Sequence, residues 1–261
     1  MRARARLATE HCARTGGRGR SHVTVLRSQP PLMLRLTMPS GPEPWTADAS
    51  EPARVCLAAG AAGPIGGDQL ALHVNVGPGS TLILGEVSAT LLLPGPHGAQ
   101  SRTQVWVHVG AGATLIWLPK LVIAAHGCHH ATDVRVDLDP DARLLLREEL
   151  LLGRHHEQPG NLHQRLRVRR GGHPLLHQHL AIGPDAAGLD GPAVTGGHRA
   201  LGSILVVDPA WTHASPAATA LDDDTALLPL NGPAVLISAL TADSLTLRRR
   251  LDTGLHALGA L

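Results

Sequence analysis

The densest group of possible metal ligands in the chain lies between residues 126 and 130. The segment reads His126-Gly-Cys128-His129-His130, and imidazole and thiolate groups suit nickel, zinc or copper. If it is a strand, His126, Cys128 and His130 share a face, but the outer two lie roughly 13 Å apart. Neighbouring members lie roughly 6.6 Å apart, so a pair could chelate an ion. The spacing matches no standard zinc motif, which leaves structural histidines, a transient metal contact and a tight site as alternatives.

Two other segments place carboxylates where they could act. Asp68 follows Gly66-Gly67 and precedes an alternating strand. The glycines permit a tight turn there, and the aspartate can accept backbone hydrogen bonds. Glu148 and Glu149 are adjacent, so on a strand their carboxylates point to opposite faces. One can be interior and the other solvated, which argues against an acid/base pair acting on one bond. A plain turn at Asp68 and an ordinary strand-edge charge remain open.

Composition and motif searches exclude several classes of function. The chain has no G-x-S-x-G, P-loop or H-E-x-x-H segment. Its formal net charge is only +2 and it has neither Phe nor Tyr, so no nucleic-acid partner is expected. No apolar run reaches roughly 18 residues, so no membrane span is expected. Three widely spaced cysteines and the lack of a secretory signal predict a cytoplasmic protein with reduced thiols.

The elements that must position these residues are short strands around glycine-rich turns. The 29 glycines and 20 prolines separate short alternating runs, which favours an all-β protein. In one unit, Leu70–Val76 is followed by the turn Gly77–Ser80 and then by Thr81–Leu84. Similar turns start at residues 110 and 139, and a fourth lies near Gly171. This period of roughly 30 residues predicts an elongated stack of β-hairpins in a solenoid-like arrangement, with one or two short helices.

Alternation within a strand predicts which face is buried. Leu72 and Val74 point to one side, while His73 and Asn75 point to the other. A slip of one residue would expose every apolar side chain, so the buried face fixes the register. No linker divides the sequence, so residues 1–261 are expected to form a single domain.

The C-terminal region carries the weakest predictions. Val235–Leu240 and Leu245–Leu251 are interpreted as the two strands of a further hairpin. The Ala-rich segment Ser215–Leu221 is expected to form one or two helical turns. A short helix is expected over Thr253–Ala260, with Thr253 as its N-cap.

Three segments in a fixed order carry a family resemblance. Residues 62–70 read AGPIGGDQL, residues 111–119 read AGATLIWLP, and residues 149–154 read ELLLGR. Together they resemble the GG-x-x-GGD-x-L, G-A-x-L-x-W-L-P and E-x-x-x-GR segments of the UreD (UreH) urease accessory protein family, over roughly residues 1–211. Gly202–Trp211 looks like the actinobacterial branch of that family. The residues that carry the motifs are Gly66, Gly67, Trp117, Pro119, Gly153 and Arg154.

The resemblance implies an all-β, helically stacked fold and a non-enzymatic role as a nickel-insertion chaperone in urease maturation. It implies binding to a scaffold of the UreF type, through it to a nickel-carrying GTPase of the UreG type, and docking on apo-urease. It also implies an internal tunnel for nickel. No tightly bound cofactor is expected, only transient nickel.

A conduit needs weak and exchangeable sites, because a mixed thiolate and imidazole site would trap nickel. Carboxylates hold the ion more softly, so Asp68 and Glu149 are the candidates for the nickel path. Surface apolar strands are the expected partner faces. Trp45, Trp106 and Trp211 are candidate interface anchors, whereas Trp117 ends a patterned strand and is expected in the core.

Two other functions stay open at this point. The first is a metal-dependent β-fold enzyme of the cupin type that uses His126, Cys128 and His130. An enzyme should present three convergent ligands with an open position, and residues from elsewhere in the chain could complete such a site. The second is a β-solenoid binding protein without metal.

Overall fold

The chain folds into two β-sheets that enclose an apolar core. The computed structural model describes residues 1–14, 17–39, 43, 45 and 51–259. Within these residues one α-helix, α1, covers Ser244–Ala257, and short 3₁₀ helices cover Pro96–Gly98 and Pro209–Thr212. In chain order the strands are β1 (Arg2–Arg14), β2 (Gly17–Arg27), β3 (Leu32–Leu36), β4 (Ala53–Ala59), β5 (Gln69–Val76), β6 (Thr81–Glu86), β7 (Thr90–Leu92), β8 (Ser101–Val109), β9 (Thr114–Leu118), β10 (Val122–Ala124), β11 (His129–Leu138), β12 (Arg143–Leu152), β13 (Asn161–Arg170), β14 (His173–Ile182), β15 (Ala200–Val207), β16 (Thr219–Asp222), β17 (Thr225–Pro229) and β18 (Ala234–Thr241).

The middle of each sheet is a stack of parallel strands. One sheet has seven strands in the order β14-β13-β11-β8-β5-β1-β2, and the other has 11, with the order β16-β17-β18-β15-β12-β9-β6-β4-β3 along its main path. The strands β1, β5, β8, β11 and β13 pair in parallel in the first sheet. The strands β4, β6, β9 and β12 do so in the second. The predicted all-β, solenoid-like fold class is confirmed.

The repeating unit of the stack is a β-arch, which differs from the hairpin expected from the sequence. The strands β5 and β6 flank one turn but lie in different sheets, and each pairs with the equivalent strand of the next coil. Successive turns stack on one another, since the Gly79 N–H donates to the Ala111 carbonyl at 2.8 Å and the Thr114 N–H to the Ser80 carbonyl at 2.8 Å. Alternation shows which side chains are buried, but it does not show which strand accepts the backbone hydrogen bonds. Only the fourth unit, β13 and β14, pairs as an antiparallel hairpin.

The main core lies between the two sheets. The four apolar residues of β5 on its inner face are each at most 5% exposed, while His73 and Asn75 lie on the outer face, as the alternation predicts. Trp117 of β9 is buried in the same core, which confirms its expected position. Fully burying a large apolar side chain contributes about 1.5–3 kcal/mol, so this layer fixes the register of both sheets.

The C-terminal prediction was wrong in part. Val235–Leu240 lies in β18, but Leu245–Leu251 forms the first half of α1 rather than a second hairpin strand. Thr253 lies inside that helix and is not its N-cap. Within the described ranges, no helix combines the length and the hydropathy that a membrane span requires.

The N-cap explains why this segment is helical. The Asp243 carboxylate accepts a hydrogen bond from the Thr246 N–H at 2.9 Å, which satisfies one of the free donors of the first turn. Leu247, Leu251 and Leu255 then recur every four residues and are buried against the outer face of the 11-stranded sheet. The spacing of Leu247 and Leu251 fits a strand and a helix alike, so leucine spacing alone was ambiguous.

The Ala-rich segment also differs from its prediction. Ser215–Leu221 contains no helical turn; its last residues belong to the strand β16, which pairs with β17. The 3₁₀ helix lies upstream, at Pro209–Thr212. Pairing with β17 satisfies the backbone N–H and C=O groups of this segment, so a tertiary contact rather than the local sequence decides that it is a strand.

Candidate functional site

Two cavities lie between the sheets and share two polar residues. The first has a volume of about 170 Å³ and is bounded by β12, β13, β14, β15 and β18. The second has a volume of about 140 Å³ and lies toward β6, β9 and β11. Glu148 of β12 and Gln164 of β13 line both cavities. Glu148 and Gln164 therefore lie where the two cavities adjoin, and further polar side chains line each cavity within the otherwise apolar layer between the sheets.

Glu148 is the carboxylate at the junction. The Gln164 amide donates to Glu148 Oε1 at 2.6 Å. Burial raises the pKa of Glu148 above the ordinary value, although the hydrogen bond from Gln164 lowers it in part. Within the described part of the chain, no cationic side chain forms a salt bridge with it. A cation in the cavity would stabilise the ionised carboxylate, because burial is what disfavours that form.

Serine hydroxyls continue from Glu148 across the 11-stranded sheet. Glu148 lies opposite Ser203 in the register, and Ser203 lies opposite Ser238. Adjacent strands are roughly 4.8 Å apart, so these three oxygen-bearing side chains form a row across β12, β15 and β18. Gln178 of β14 lines the same cavity from the other sheet. The first cavity thus presents oxygen and amide groups along one direction.

The second cavity leads from Glu148 to Glu86. The Lys120 N–H donates to Glu86 Oε2 at 3.1 Å. Burial raises the pKa of Glu86 to about 7, and Lys120 opposes that shift. Pro119, one of the motif residues, lines this cavity as well. A carboxyl group whose pKa is close to 7 can exchange a proton for a metal ion near neutral pH.

The structure separates the members of the histidine and cysteine cluster. His126 is exposed in a turn, whereas Cys128 is buried and its thiol contacts the Asn161 carbonyl at 3.9 Å. Burial raises the pKa of Cys128 to about 11. His130 lines the second cavity with Nδ1 2.7 Å from Ser101 Oγ, and burial lowers its pKa to about 4. Among the described residues, no group of three His, Cys, Asp or Glu side chains is arranged to hold a metal. A tight site is therefore not supported, and a transient metal contact at His126, Cys128 or His130 stays a prediction.

Asp68, the first predicted path residue, closes a turn. Its carboxylate accepts from the Ile65 N–H at 2.9 Å and from the Met1 amino group at 2.7 Å. Burial raises the pKa of Asp68, but these two donors outweigh burial and the net pKa is lowered. The residues that line the two cavities do not include Asp68. These contacts support the turn interpretation of this residue.

Glu149, the second predicted path residue, points away from Glu148. Its carboxylate accepts from Arg147 Nε at 2.6 Å and from Arg248 of α1 at 3.2 Å. Arg147 also donates to Asp252 of α1 at 2.6 Å. The opposite orientation of the two glutamates is as expected, and Glu148 is the one of the two that lines both cavities. Glu149 ties the helix to the sheet through these ion pairs. It is also among the residues that line the second cavity, so its place on the nickel path stays a prediction.

A signal for Glu148 was present in the sequence. The inner face of β12 carries Leu144, Leu146, Leu150 and Leu152 at alternating positions. Glu148 occupies the one remaining position in that series, whereas Glu149 is out of phase with it. A charged residue in phase with four buried leucines is predicted to be interior.

Gly66 and Gly67 allow two backbone segments to meet. A Cβ atom on Gly66 would lie 2.5 Å from the backbone nitrogen of Gly95. Gly67 has a φ of +92°, which side chains rarely adopt. The two glycines therefore position the start of β5 and the turn that Asp68 closes.

Gly153 and Arg154 form a second close turn at the end of β12. A Cβ atom on Gly153 would collide with the carbonyl of Glu157. The Arg154 guanidinium donates to the Glu157 carboxylate through Nε at 2.9 Å and Nη2 at 2.6 Å. These contacts give the Gly-Arg motif a role in shaping the loop between β12 and β13.

Comparison with known proteins connects this architecture to a family. The family model described as UreD urease accessory protein matches residues 1–260. The chain belongs to the UreD urease accessory protein family. The Urease accessory protein UreD of Streptomyces avermitilis is 44% identical over 260 residues, which cover 99% of this chain and 98% of that protein. Its namesake in Streptomyces coelicolor is 42% identical over 94% of each chain, and that in Frankia alni is 42% identical over 90% of this chain and 87% of its own.

Membership in the UreD family confirms the resemblance and decides between the classes of function. The relatives are named as urease accessory proteins, which are maturation factors rather than enzymes. The chain is accordingly a urease accessory protein rather than a cupin-like enzyme. Its nickel route, its cytoplasmic location and its single-domain organisation remain predictions.

Proposed function

We propose that this UreD-family chain is a nickel-insertion chaperone for urease, and that the two cavities joined at Glu148 are its route for nickel. The observation that carries the proposal is the partly buried Glu148 carboxylate, which lines both cavities between the sheets with Gln164 as its hydrogen-bond partner. Membership in a family of urease accessory proteins gives the biological context, and the negative charge of an interior carboxylate would attract a cation into the cavities.

The donors along this route suit passage rather than storage. They are the carboxylate, hydroxyl and amide groups of Glu148, Ser203, Ser238 and Gln164, together with the single imidazole of His130. Nickel stands high in the affinity order for nitrogen and sulfur ligands, so a route without a convergent thiolate and imidazole set releases the ion more readily. Nickel is the cargo here and no resident cofactor is invoked.

Each end of the route requires a partner. One end lies at Glu86 and Lys120, and the other lies between β14 and β18. We propose that a UreF-type scaffold, with its UreG-type GTPase, covers one end and that apo-urease covers the other. The support is membership in a urease accessory family together with two cavities that share Glu148 and Gln164 in their walls.

The test is co-expression of urease with the other accessory proteins, with and without this chain, at limiting nickel. Without the chain we expect urease protein to accumulate with little nickel and little activity. Metal content of the purified urease and its activity are both measured. Normal nickel loading without the chain would contradict the proposed function.

A further inference from the structure

The outer face of the seven-stranded sheet is strongly basic. Its strands alternate inward apolar residues with outward polar ones, and among the described residues no helix or second sheet covers it. The outward residues include ten arginines and four carboxylates, which together give this face a formal charge of +6. The whole chain carries only +2, so the rest of the molecule is net negative. The arginines are Arg2, Arg4, Arg6, Arg20, Arg27, Arg102, Arg135, Arg165, Arg167 and Arg169, and the carboxylates are Glu10, Glu51, Asp133 and Asp137.

One row of side chains crosses the entire face. Each strand of the sheet contributes one member, because the members lie opposite one another in the register. With strands roughly 4.8 Å apart, the row is about 29 Å long. It consists of Arg27, Arg6, His73, Trp106, Arg135, Arg167 and His177. Trp106, one of the predicted anchors, is at its centre.

The row is partly pre-organised. Asp133 accepts from Arg167 at 2.7 Å and from Arg135 at 3.2 Å, which holds both guanidinium groups in place. His73 stacks on Trp106 with ring centroids 4.5 Å apart and planes 12° from parallel. Rigid Trp and Arg side chains at the centre of a face are typical of protein interfaces, because little side-chain entropy is lost on binding.

The chemistry favours a protein over a nucleic acid as the partner. His73 covers one face of Trp106, which reduces the aromatic surface available for base stacking. Asp133 and Asp137 interrupt the positive field, and they would repel a phosphate backbone. A mixed pattern with a central tryptophan instead fits a protein surface whose carboxylates face the arginines.

We propose that this basic face docks on an acidic surface of apo-urease, an inference that rests on the proposed function. A protein that receives a divalent cation draws it with negative potential, and a basic donor face complements that potential. The edge strand β14 connects the face to the route, since His177 lies on the outer face while Gln178 lines the first cavity. With seven strands roughly 4.8 Å apart and about six residues of roughly 3.3 Å rise on each, the face is roughly 29 Å by 20 Å, or about 600 Å² in projection. This is comparable with the roughly 800 Å² that each partner contributes to a standard interface.

The test compares two doubly charge-reversed variants of the full chain. Arg6→Glu/Arg135→Glu changes the row on either side of Trp106. Arg35→Glu/Arg249→Glu changes net charge equally at exposed positions outside the face. Binding of each to purified apo-urease is measured at low and moderate salt, with binding to a UreF-type scaffold and to a single-stranded RNA as parallel arms. Thermal unfolding checks that both variants fold.

We expect the row variant to bind apo-urease at least tenfold more weakly and the control to change less than twofold, with wild-type affinity falling as salt rises. Unchanged apo-urease binding by the row variant would overturn the docking face while leaving the proposed function intact. If the row variant lost binding only to the scaffold or only to the RNA, the docking face for apo-urease would likewise be overturned and the proposed function would stand. Failure of the wild-type chain to bind apo-urease in any assembly would overturn both.

Discussion

Replacing Glu148 by glutamine isolates the charge at the junction of the two cavities. The substitution keeps the size of the side chain. In the wild type the Gln164 amide donates to Glu148 at 2.6 Å, and the amide oxygen of the variant can accept the same hydrogen bond. The substitution removes a partly buried ionisable group whose charged form is disfavoured by desolvation. The variant should therefore be at least as stable as the wild type, and any functional loss is not a folding defect.

The expected loss follows from Coulomb's law. Two unit charges about 4 Å apart interact by about 4 kcal/mol at an effective dielectric constant of about 20, so a divalent ion beside the ionised Glu148 gains about 8 kcal/mol before dehydration. If one fifth of this survives dehydration, about 1.6 kcal/mol remains. Each 1.4 kcal/mol is about a factor of ten in rate, so Glu148→Gln should slow nickel transfer more than tenfold.

The assay is the initial rate of urease activation at limiting nickel, with nickel content measured in parallel. Glu149→Gln is the matched control, because it makes the same chemical change on the opposite face of β12. That control leaves Arg147 and Arg248 without their shared carboxylate, so the free energy of unfolding should fall by about 3 kcal/mol. Activation per folded molecule should not change. Wild-type activation by Glu148→Gln, or equal losses in both variants, would refute the reasoning.

Three further predictions concern stability and reactivity. Gly66→Ala should lower the free energy of unfolding by about 2 kcal/mol or more, because the new methyl group meets backbone atoms 2.5 Å away. Chemical denaturation measures this change. Gly85→Ala is the control and should be nearly neutral, because the nearest atom to its new methyl group is 3.7 Å away. The pKa of Cys128 is about 11, so only about one thiol in a thousand is ionised at pH 8. Native alkylation followed by mass spectrometry should therefore modify the exposed Cys12 well before Cys128, and equal rates would contradict the burial argument. Burial lowers the pKa of His130 from 6.5 to about 4. Between these two pH values the unfolded chain takes up a proton at this histidine and the folded chain does not. The free energy of unfolding therefore decreases as the pH falls from 6.5 toward 4. The loss approaches about 3 kcal/mol, and His130→Gln should flatten the pH dependence of stability by that amount; an unchanged slope would mean that this histidine does not titrate as its burial implies.

Much of the fold could be predicted because its signals are local. Alternation in β5 identified the buried face, and glycine-rich turns at residues 77, 110 and 139 marked the coils. The hairpin expectation failed at the same turns, since an arch and a hairpin place the same side chains inward. At the C-terminus, the leucines after Asp243 fitted two periods, and the choice depended on the N-cap and on an open apolar face beneath it.

For the site, the two glutamates show where prediction from sequence ends. Adjacent positions on a strand determined that their side chains oppose each other, as backbone geometry requires. Their surroundings were decided by distant partners: Gln164 comes from the next coil, and Arg248 comes from a helix 99 residues away.

The sequence by itself determined the strands and turns of the central coils and the family, because each depends on residues that are close in the chain or on ordered motifs. Tertiary structure alone decided the strand partners, the cavities at Glu148 and the basic face. Those features arise when coils some thirty residues apart are brought into register, and hydrogen bonds between coils carry no signature within a single strand.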